Sequence, residues 1–376
     1  MKAFLKAWEA LCSSTDQSPT LVVPNGKTFS LLPLIFEGPC KASNVHLQID
    51  GDLLIPKKEE WSGTDCVGEW VRFSRVNGLI IDGSGTIDGQ GATWWGGDKP
   101  MERFSRLNWG LDFNDDCGRP TAIRFYRCDD LRLSGLKVIN GPRNHFAVGG
   151  CDGAVISGLH IEAPDDSPNT DGIDFSSTTN TRVENTFIGT GDDCIAVNGG
   201  VKNLTIDNLL CGPGHGISIG SLGKDGSYET VEDVTVQNCK FTKVQNGARI
   251  KTWEGGAGYV KQITYKNITL DNAGQPIIID QNYCPEHNCG PTKPSSVAIS
   301  DVSFTDFSGT TATIRAILLN CSSIGSGCTN VILDNVQITK GDIGKLYDEN
   351  DGEVYAYCRN VHGKATSTIP SVPCLE

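Results

Sequence analysis

Short runs of alternating apolar and polar residues recur along most of the chain. A small residue, an asparagine or an aspartate closes each run. Alternation with a period of two predicts β-strands that bury one face. The clearest copies lie at residues 131–135, 154–158, 204–208, 234–238, 264–267, 297–301 and 331–335, and weaker copies begin near Val45 and Leu79.

The closing residues recur at long, similar intervals. They are Asn185, Asn208, Asn238, Asn267, Asp301 and Asn335, with spacings of 23, 30, 29, 34 and 34 residues. A period of about 20 to 50 residues is typical of stacked repeats. Asparagine tolerates left-handed backbone angles at a corner, and aligned asparagines can hydrogen-bond along a stack. We therefore predict an all-β parallel β-helix of roughly ten coils. A β-sandwich is the alternative, although its strands usually recur every 8–12 residues or so.

The first residues follow a different pattern, because Phe4, Trp8 and Leu11 fall on one helical face. A short helix there would cap the open end of a solenoid. We expect a single catalytic domain over residues 1–376, with an N-terminal cap region at 1–40, coils at 41–340 and a C-terminal cap or tail at 341–376.

Composition excludes two classes of protein. The longest apolar run, near Leu31, is short and is interrupted by Pro33, whereas a membrane-spanning helix needs about 20 apolar residues. The net charge of −13 argues against a nucleic-acid-binding protein. It leaves room for an anionic ligand, because a few converging cations can form a local positive site.

The cysteine content indicates an oxidising compartment. The chain has 15 cysteines, and sequons for N-glycosylation occur at Asn203, Asn267 and Asn320. The odd number predicts at least one free thiol or an intermolecular bond. Residues 1–6 lack an apolar signal-peptide core, so we interpret Met1 as the start of a mature secreted chain.

Four short segments are unusually rich in Asp, His, Arg and Lys. They are Pro-Asn-Thr-Asp-Gly at 168–172, Thr-Gly-Asp-Asp-Cys at 190–194, Gly-His-Gly-Ile-Ser-Ile-Gly at 214–220 and Ala-Arg-Ile-Lys-Thr at 248–252. Each segment alone is more typical of a turn or a solvated strand. Their spacing is more informative, because Asp171 precedes Asp192 by 21 residues and Asp193 precedes His215 by 22. If one coil has that length, these side chains gather on neighbouring coils.

This combination of residues suits the hydrolysis of a glycosidic bond in an anionic sugar. One protonated carboxyl donates a proton to the leaving oxygen, and an ionised carboxylate activates water or attacks carbon. Crowded carboxylates raise the pKa of one of them, which supplies the acid. Arg249 and Lys251 are two residues apart on a predicted strand, so both face one side and can bind a carboxylate.

The four segments resemble the signatures of the polygalacturonases of glycoside hydrolase family 28, the plant members in particular: Asn-Thr-Asp, Gly-Asp-Asp, Gly-His-Gly and Arg-Ile-Lys occur here in that order. Pro142-Arg143-Asn144-His145 is similar to a further stretch of plant members, with Gly141 in place of a serine. The likeness runs from about Trp8 to Cys374.

The resemblance implies a right-handed parallel β-helix that hydrolyses α-1,4-linked galacturonic acid with inversion, without a metal or a cofactor. By resemblance, Asp192 is the general acid, Asp171 and Asp193 hold and deprotonate the water, and His215 tunes the proton on the acid. The residues expected to bind substrate are Arg249, Lys251, Tyr283, Asn169 and His145. Asn169 could equally serve only to shape its turn. Asp174 departs from the plant pattern, where histidine or asparagine is common.

The resemblance also implies a disulfide between Cys194 and Cys211. Other plausible bridges are Cys12–Cys40, Cys284–Cys289, Cys321–Cys328 and Cys358–Cys374. Cys128 and Cys151 are candidates for stacked buried thiols. A zinc site at 284–289 is the less favoured alternative to a bridge there.

Several readings of function remain open at the level of sequence. The favoured one is a secreted, monomeric, endo-acting hydrolase of unesterified homogalacturonan in the plant cell wall, with polygalacturonase-inhibiting proteins as partners. Alternatives are exo attack, a calcium-dependent pectate lyase on the same fold, and an inactive wall-binding β-helix.

Overall fold

The computed structural model describes residues 2–61, 68–95, 118–285, 289, 296–341 and 352–375. Its helices are α1 (Lys2–Ser13) and α2 (Ala92–Trp95), with 3-10 turns at Lys58–Glu60 and Lys224–Gly226. The strands in chain order are β1 Thr20–Val23, β2 Thr28–Ser30, β3 Leu34–Glu37, β4 Val45–Ile49, β5 Asp52–Leu54, β6 Glu69–Ser74, β7 Leu79–Asp82, β8 Thr86–Asp88, β9 Thr121–Tyr126, β10 Arg132–Ser134, β11 Lys137–Ile139, β12 Phe146–Gly149, β13 Val155–Ser157, β14 His160–Glu162, β15 Ile173–Ser176, β16 Thr179–Gly189, β17 Ile195–Val197, β18 Val201–Cys211, β19 Ile217–Leu222, β20 Tyr228–Thr242, β21 Asn246–Thr252, β22 Ala257–Ala273, β23 Gln275–Asp280, β24 Ala298–Thr311, β25 Arg315–Asn320, β26 Cys328–Lys340, β27 Tyr355–Arg359 and β28 Val361–Ile369.

These strands stack in parallel into two long sheets. The sheet that we call the front sheet has eleven strands in the described part of the chain, in the order β3-β6-β9-β12-β15-β17-β19-β21-β23-β25-β27. Each coil contributes one strand to it, so the count agrees with the prediction of roughly ten coils. Connections between parallel neighbours are right-handed, and the right-handed parallel β-helix is confirmed. The sandwich alternative is wrong, because its strands would pair antiparallel.

The second sheet bends at aligned corners, where the expected asparagines lie. Asn208 donates from Nδ2 to Asn185 Oδ1 at 2.7 Å, and Asn267 donates to Asn238 at 2.7 Å. All four residues have a positive φ between 51° and 56°, as the sequence predicted. The assignment of Asp301 to this series is wrong. Asp306 stacks there and accepts from Asn335 at 2.9 Å, while Asp301 belongs to a second, parallel series of corners and accepts from Asn330.

The core fills the space between the sheets with aligned apolar residues. Phe36, Phe73 and Phe125 stack on successive coils, with ring centroids 5.0 and 5.5 Å apart. Isoleucines continue such rows at Ile173, Ile195 and Ile217, all fully buried. Because alternate residues point inward, their neighbours in sequence form straight rows on the outer face.

Helix α1 covers the first coils, as predicted. Trp8 and Leu11 are buried, and the Trp8 ring lies 4.8 Å from that of Phe36. The stack extends beyond the expected coil range of 41–340, however. β1 already pairs with β4 in parallel, and β28 pairs with β26. Prolines between the short N-terminal strands, and the mostly polar sequence of β28, gave no distinct alternation in these terminal coils. Within the described ranges, no helix is long and apolar enough to cross a membrane.

Candidate active site

Consecutive coils bring the predicted carboxylates and the imidazole together on the front sheet. Ile173, Ile195 and Ile217 are register partners at the start of β15, β17 and β19. Asp171, Asp193 and His215 each lie two residues earlier and are therefore stacked along the helix axis. The spacing of about one coil that the sequence suggested is confirmed.

Asp192 lies at the centre of this arrangement. His215 Nδ1 lies 2.9 Å from Asp192 Oδ1, and Asn169 donates from Nδ2 to Oδ2 at 3.3 Å. The side chain of Asp192 is 18% exposed, so the carboxyl can reach a ligand on the surface. Asn169 also has a φ of 54°, so it both shapes its turn and contacts the carboxyl.

Asp193 is buried and ionised. Arg249 Nη2 lies 2.6 Å from its Oδ1, Lys251 Nζ lies 2.9 Å from its Oδ2, and Ser218 donates to Oδ1 at 2.8 Å. Burial alone would raise the pKa of Asp193, but the charges of Arg249 and Lys251 and these hydrogen bonds lower it to about 2. Asp193 thus stays negative in any ordinary medium and fixes both cations at the site.

Asp171 has the opposite electrostatic environment. Burial raises its pKa well above the ordinary value, and the charges of Asp192, Asp174 and Asp193 raise it further. Since neighbouring carboxyls cannot all ionise easily, the group retains protons at mildly acidic pH. The crowding therefore supplies a protonated carboxyl, as the sequence argument required.

His145 does not take the position that the resemblance implied. Its side chain is fully buried, with Nδ1 3.0 Å from the carbonyl oxygen of Asp171 and Nε2 accepting the N–H of Gly141 at 3.1 Å. Burial lowers its pKa to about 4, so it is neutral at neutral pH. Complete burial excludes the expected substrate contact in this structure, and His145 instead supports the backbone that carries Asp171.

Asp174 is a carboxyl that the site holds at an elevated pKa. Its Oδ2 accepts from Asn144 Nδ2 at 2.8 Å, while its buried Oδ1 has no hydrogen-bond partner among the described residues. Burial raises the pKa of Asp174 to about 7, although the nearby charge of Arg143 opposes this. Asp174 is therefore largely neutral below that pH, which limits the repulsion that it would exert on an anionic ligand.

This elevated pKa has a consequence for stability. Because the pKa of Asp174 is higher in the folded chain than the value of about 4 for an unfolded one, its contribution is complete below pH 4 and is lost as the pH rises through about 7. We expect the melting temperature of Asp174→Asn to exceed that of the parent by an amount that grows as the pH rises from 4 to 7.5, reaching several degrees at pH 7.5. Melting curves across this range test the sign. Asp334→Asn, an exposed control on the second sheet, should follow the parent, and a gain that is equal at every pH would contradict the explanation.

Tyr283 lies beside the cations. Lys251 Nζ is 5.3 Å from the centroid of its ring, and Trp253 packs edge-on against the same ring at 5.5 Å. The tyrosine expected from the resemblance is thus close to Lys251. Trp253 was not predicted as a site residue, because a single tryptophan after a strand carries no distinctive signal.

Two further residues were missed although the sequence contained a signal for them. Ser218 donates to Asp193 and accepts from Arg249 Nε at 2.8 Å. It lies between two inward isoleucines, so strict alternation placed it on the outer face. Asn144, in the segment used for the resemblance, holds Asp174.

A disulfide between Cys194 and Cys211 fixes the turn that carries Asp192 and Asp193. It confirms the bridge that the resemblance implied. The other four expected bridges also form, namely Cys12–Cys40, Cys284–Cys289, Cys321–Cys328 and Cys358–Cys374. Cys128 and Cys151 are buried free thiols in contact, as expected. The bridge at Cys284–Cys289 removes the sulfur ligands of the zinc alternative, while Glu286 and His287 lie outside the described residues.

The site also contains donor atoms that could approach a cation. Oxygen or nitrogen atoms of Asp192, Asp193 and His215 lie within 4.8 Å of one another. However, Arg249 and Lys251 already neutralise Asp193, and their positive charges repel a metal ion. The residues present do not favour a metal there.

A parallel β-helix with clustered carboxylates and paired cations on its outer face fits a glycoside hydrolase. The model of glycosyl hydrolases family 28 matches residues 12–368, and the chain belongs to this family. It is 44% identical to a probable polygalacturonase of Arabidopsis thaliana, over 100% of this chain and 77% of that protein. It is 38% identical to a polygalacturonase of Cryptomeria japonica, over 97% and 70%. The solved endo-xylogalacturonan hydrolase of Aspergillus tubingensis shares the fold, with a TM-score of 0.74, 23% identity and coverage of 95% and 94%.

Proposed function

We propose that this family 28 hydrolase is a secreted, endo-acting polygalacturonase that cleaves α-1,4 bonds of unesterified homogalacturonan with inversion. The observation that carries the proposal is the stack of Asp171, Asp192, Asp193 and His215 next to Arg249 and Lys251. The carboxylates supply acid and base, and the cations match the carboxylate of galacturonic acid. The polygalacturonase names of the plant relatives support this substrate.

In the proposed reaction Asp192 protonates the leaving glycosidic oxygen while a water molecule attacks the anomeric carbon from the opposite face. The bond from this carbon to the leaving oxygen breaks as the new carbon–oxygen bond forms. Asp171 accepts the proton of the water, and ionised Asp193 orients the water by accepting a hydrogen bond. This reaction requires the proton on Asp192 and a deprotonated Asp171, and His215, whose Nδ1 lies 2.9 Å from Asp192, assists the replacement of the proton from solvent.

The cations have capacity left for substrate. Arg249 directs Nε to Ser218 and Nη2 to Asp193, and Lys251 directs Nζ to Asp193. A guanidinium has five N–H donors and an ammonium three, so each can also bind a substrate carboxylate. Tyr283, next to Lys251, would pack against the same sugar.

The position of the site within the stack supports endo attack. The carboxylates precede β15 and β17, in the middle of the front sheet, and outward rows continue over several coils on both sides. A polysaccharide lying along the sheet would extend past the site in both directions. Five disulfides in the described part of the chain support secretion, and we expect a monomer.

Digestion of polygalacturonic acid with and without a chelator tests the proposal. New reducing ends, no gain in ultraviolet absorbance and no effect of the chelator are expected for a hydrolase. An early fall in viscosity would establish endo cleavage, and a slow fall exo cleavage. Absorbance that disappears with the chelator would identify a lyase and contradict the proposed roles.

A further inference from the structure

Two arginines lie on the outer face of the front sheet, some coils before the carboxylates. Arg72 on β6 and Arg124 on β9 are register partners, so their side chains leave the sheet side by side. Arg124 is flanked by Ile123 and Phe125, whose side chains are buried in the core. The alternation therefore directs Arg124 outward.

The row that contains these arginines leads directly to the site. Along the register, Arg124 is followed by Ala147, Asp174, Ala196, Ser218 and Arg249 on successive strands. At about 4.8 Å per strand, Arg124 lies about 10 Å from Asp174 and about 24 Å from Arg249. The side chains of the alanines and the serine are short, so the surface between the two pairs of cations, Arg72 with Arg124 and Arg249 with Lys251, is shallow there.

The charges around Arg72 and Arg124 do not cancel. Both pair with Glu69, at 2.6 and 2.8 Å, so one carboxylate serves two guanidiniums. Exposed Arg143 is close enough to act electrostatically on Arg124. Asp174, a further carboxyl that acts electrostatically on Arg124, is held largely neutral by burial. Among these described residues, positive charge is therefore in excess, on a chain whose net charge is −13.

The arginines are also accessible. The side chains of Arg72 and Arg124 are 36% and 25% exposed, while Glu69 beneath them is 10% exposed. Each guanidinium has five N–H donors, more than its contact with the buried carboxylate of Glu69 uses, so both arginines have the capacity to bind an anion as well.

We propose that Arg72, Arg124 and Arg143 form a second carboxylate-binding site, the arginine site, for a galacturonate several sugars away from the scissile bond. The inference rests on the proposed function and extends it. A methyl-esterified sugar lacks the charge that the guanidiniums recognise, so the arginine site requires an unesterified sugar far from the cleaved bond. It would thereby select stretches of polymer with two separated free carboxylates.

Binding of galacturonan oligomers of increasing length tests the arginine site. The titrations use the Asp192→Asn chain, so that the ligand is not consumed. We expect Arg124→Gln in this background to weaken the affinity for long oligomers about tenfold, which corresponds to about 1.4 kcal/mol for one charge-assisted contact. Galacturonic acid itself, which is too short to contact both the catalytic residues and Arg124, should bind equally to both chains. Fully methyl-esterified long oligomers should not distinguish them.

Two further variants keep the test independent of folding. Arg143→Gln removes an exposed side chain and should reproduce the length-dependent loss even if Arg124→Gln is unstable. Arg132→Gln removes an exposed arginine from the second sheet and should leave all affinities unchanged. Equal losses for short and long oligomers, or no loss in either site variant, would overturn the proposal. Since binding is measured directly, failure of the parent chain to hydrolyse polygalacturonate would count against the proposed function and not against the arginine site.

Discussion

Replacing Asp192 with asparagine is expected to lower kcat on polygalacturonic acid by about 10²–10⁴-fold, the usual contribution of a general acid. Asparagine has nearly the same shape, so the contacts with His215 and Asn169 can largely persist. It cannot donate a carboxyl proton to the leaving oxygen. Initial rates from reducing ends give kcat, and titration with galacturonan oligomers should show that binding is retained.

The exposed Asp334→Asn variant is the matched control, because it removes one negative charge from the second sheet without touching the site. It should retain the parent kcat. A normal kcat in Asp192→Asn would place the acid elsewhere, with Asp171, whose pKa is raised by burial, as the next candidate. If the parent binds oligomers without turnover and Asp192→Asn binds equally well, the chain is a binding protein.

Replacing Lys251 with methionine is expected to destabilise the fold by about 3–5 kcal/mol and to raise KM. Lys251 is one of two cations that hold Asp193, whose side chain is 1% exposed, and an incompletely compensated buried charge is costly. Urea unfolding near neutral pH measures the free energy of unfolding. The difference from the parent should shrink towards pH 3, because Asp193 without Lys251 becomes easier to protonate. In the parent, the stabilisation from Asp193 is present above pH 4 and is lost as the pH falls through about 2.

A surface ion pair provides the matched comparison. Lys261 lies 2.9 Å from Glu232, the same distance as in the buried pair, but its side chain is 40% exposed. Lys261→Met should therefore change the free energy of unfolding far less than Lys251→Met does. In the Lys251→Met chain, adding Asp193→Asn should restore part of the stability without restoring activity, because the buried charge is gone. Equal losses for Lys251→Met and Lys261→Met would show that burial of Asp193 is not the cause.

Much of the fold followed from the sequence because the solenoid repeats one local rule. Alternation of apolar residues marked the strands, and the left-handed corners at Asn208, Asn238 and Asn267 required the residues that tolerate them. The error at Asp301 has a simple origin. Two series of corners run in parallel, five residues apart, and either could follow Asn267 until the strand register was known.

The candidate site could be predicted from the sequence for the same reason. Residues one coil apart become neighbours, so the spacings of Asp171, Asp192, Asp193 and His215 were enough to place them together. Spacing carries no information on depth, however. It could not show that His145 is fully buried while Asp192 is 18% exposed, because depth depends on how the turns before each strand fold over one another.

The sequence by itself determined the coil, most of its corners, its capping helix and the face on which Arg249 and Lys251 lie, because each depends on local periodicity. The tertiary structure decided which groups are charged. Burial and neighbouring carboxyls raise the pKa values of Asp171 and Asp174, while Arg249 and Lys251 lower that of Asp193. It also brought Arg72 and Arg124 together, because these residues are 52 apart in the sequence but are partners on neighbouring strands. The same row of outward residues leads on to the site. Desolvation and through-space charge depend on distances between coils, and only packing of the coils sets those distances.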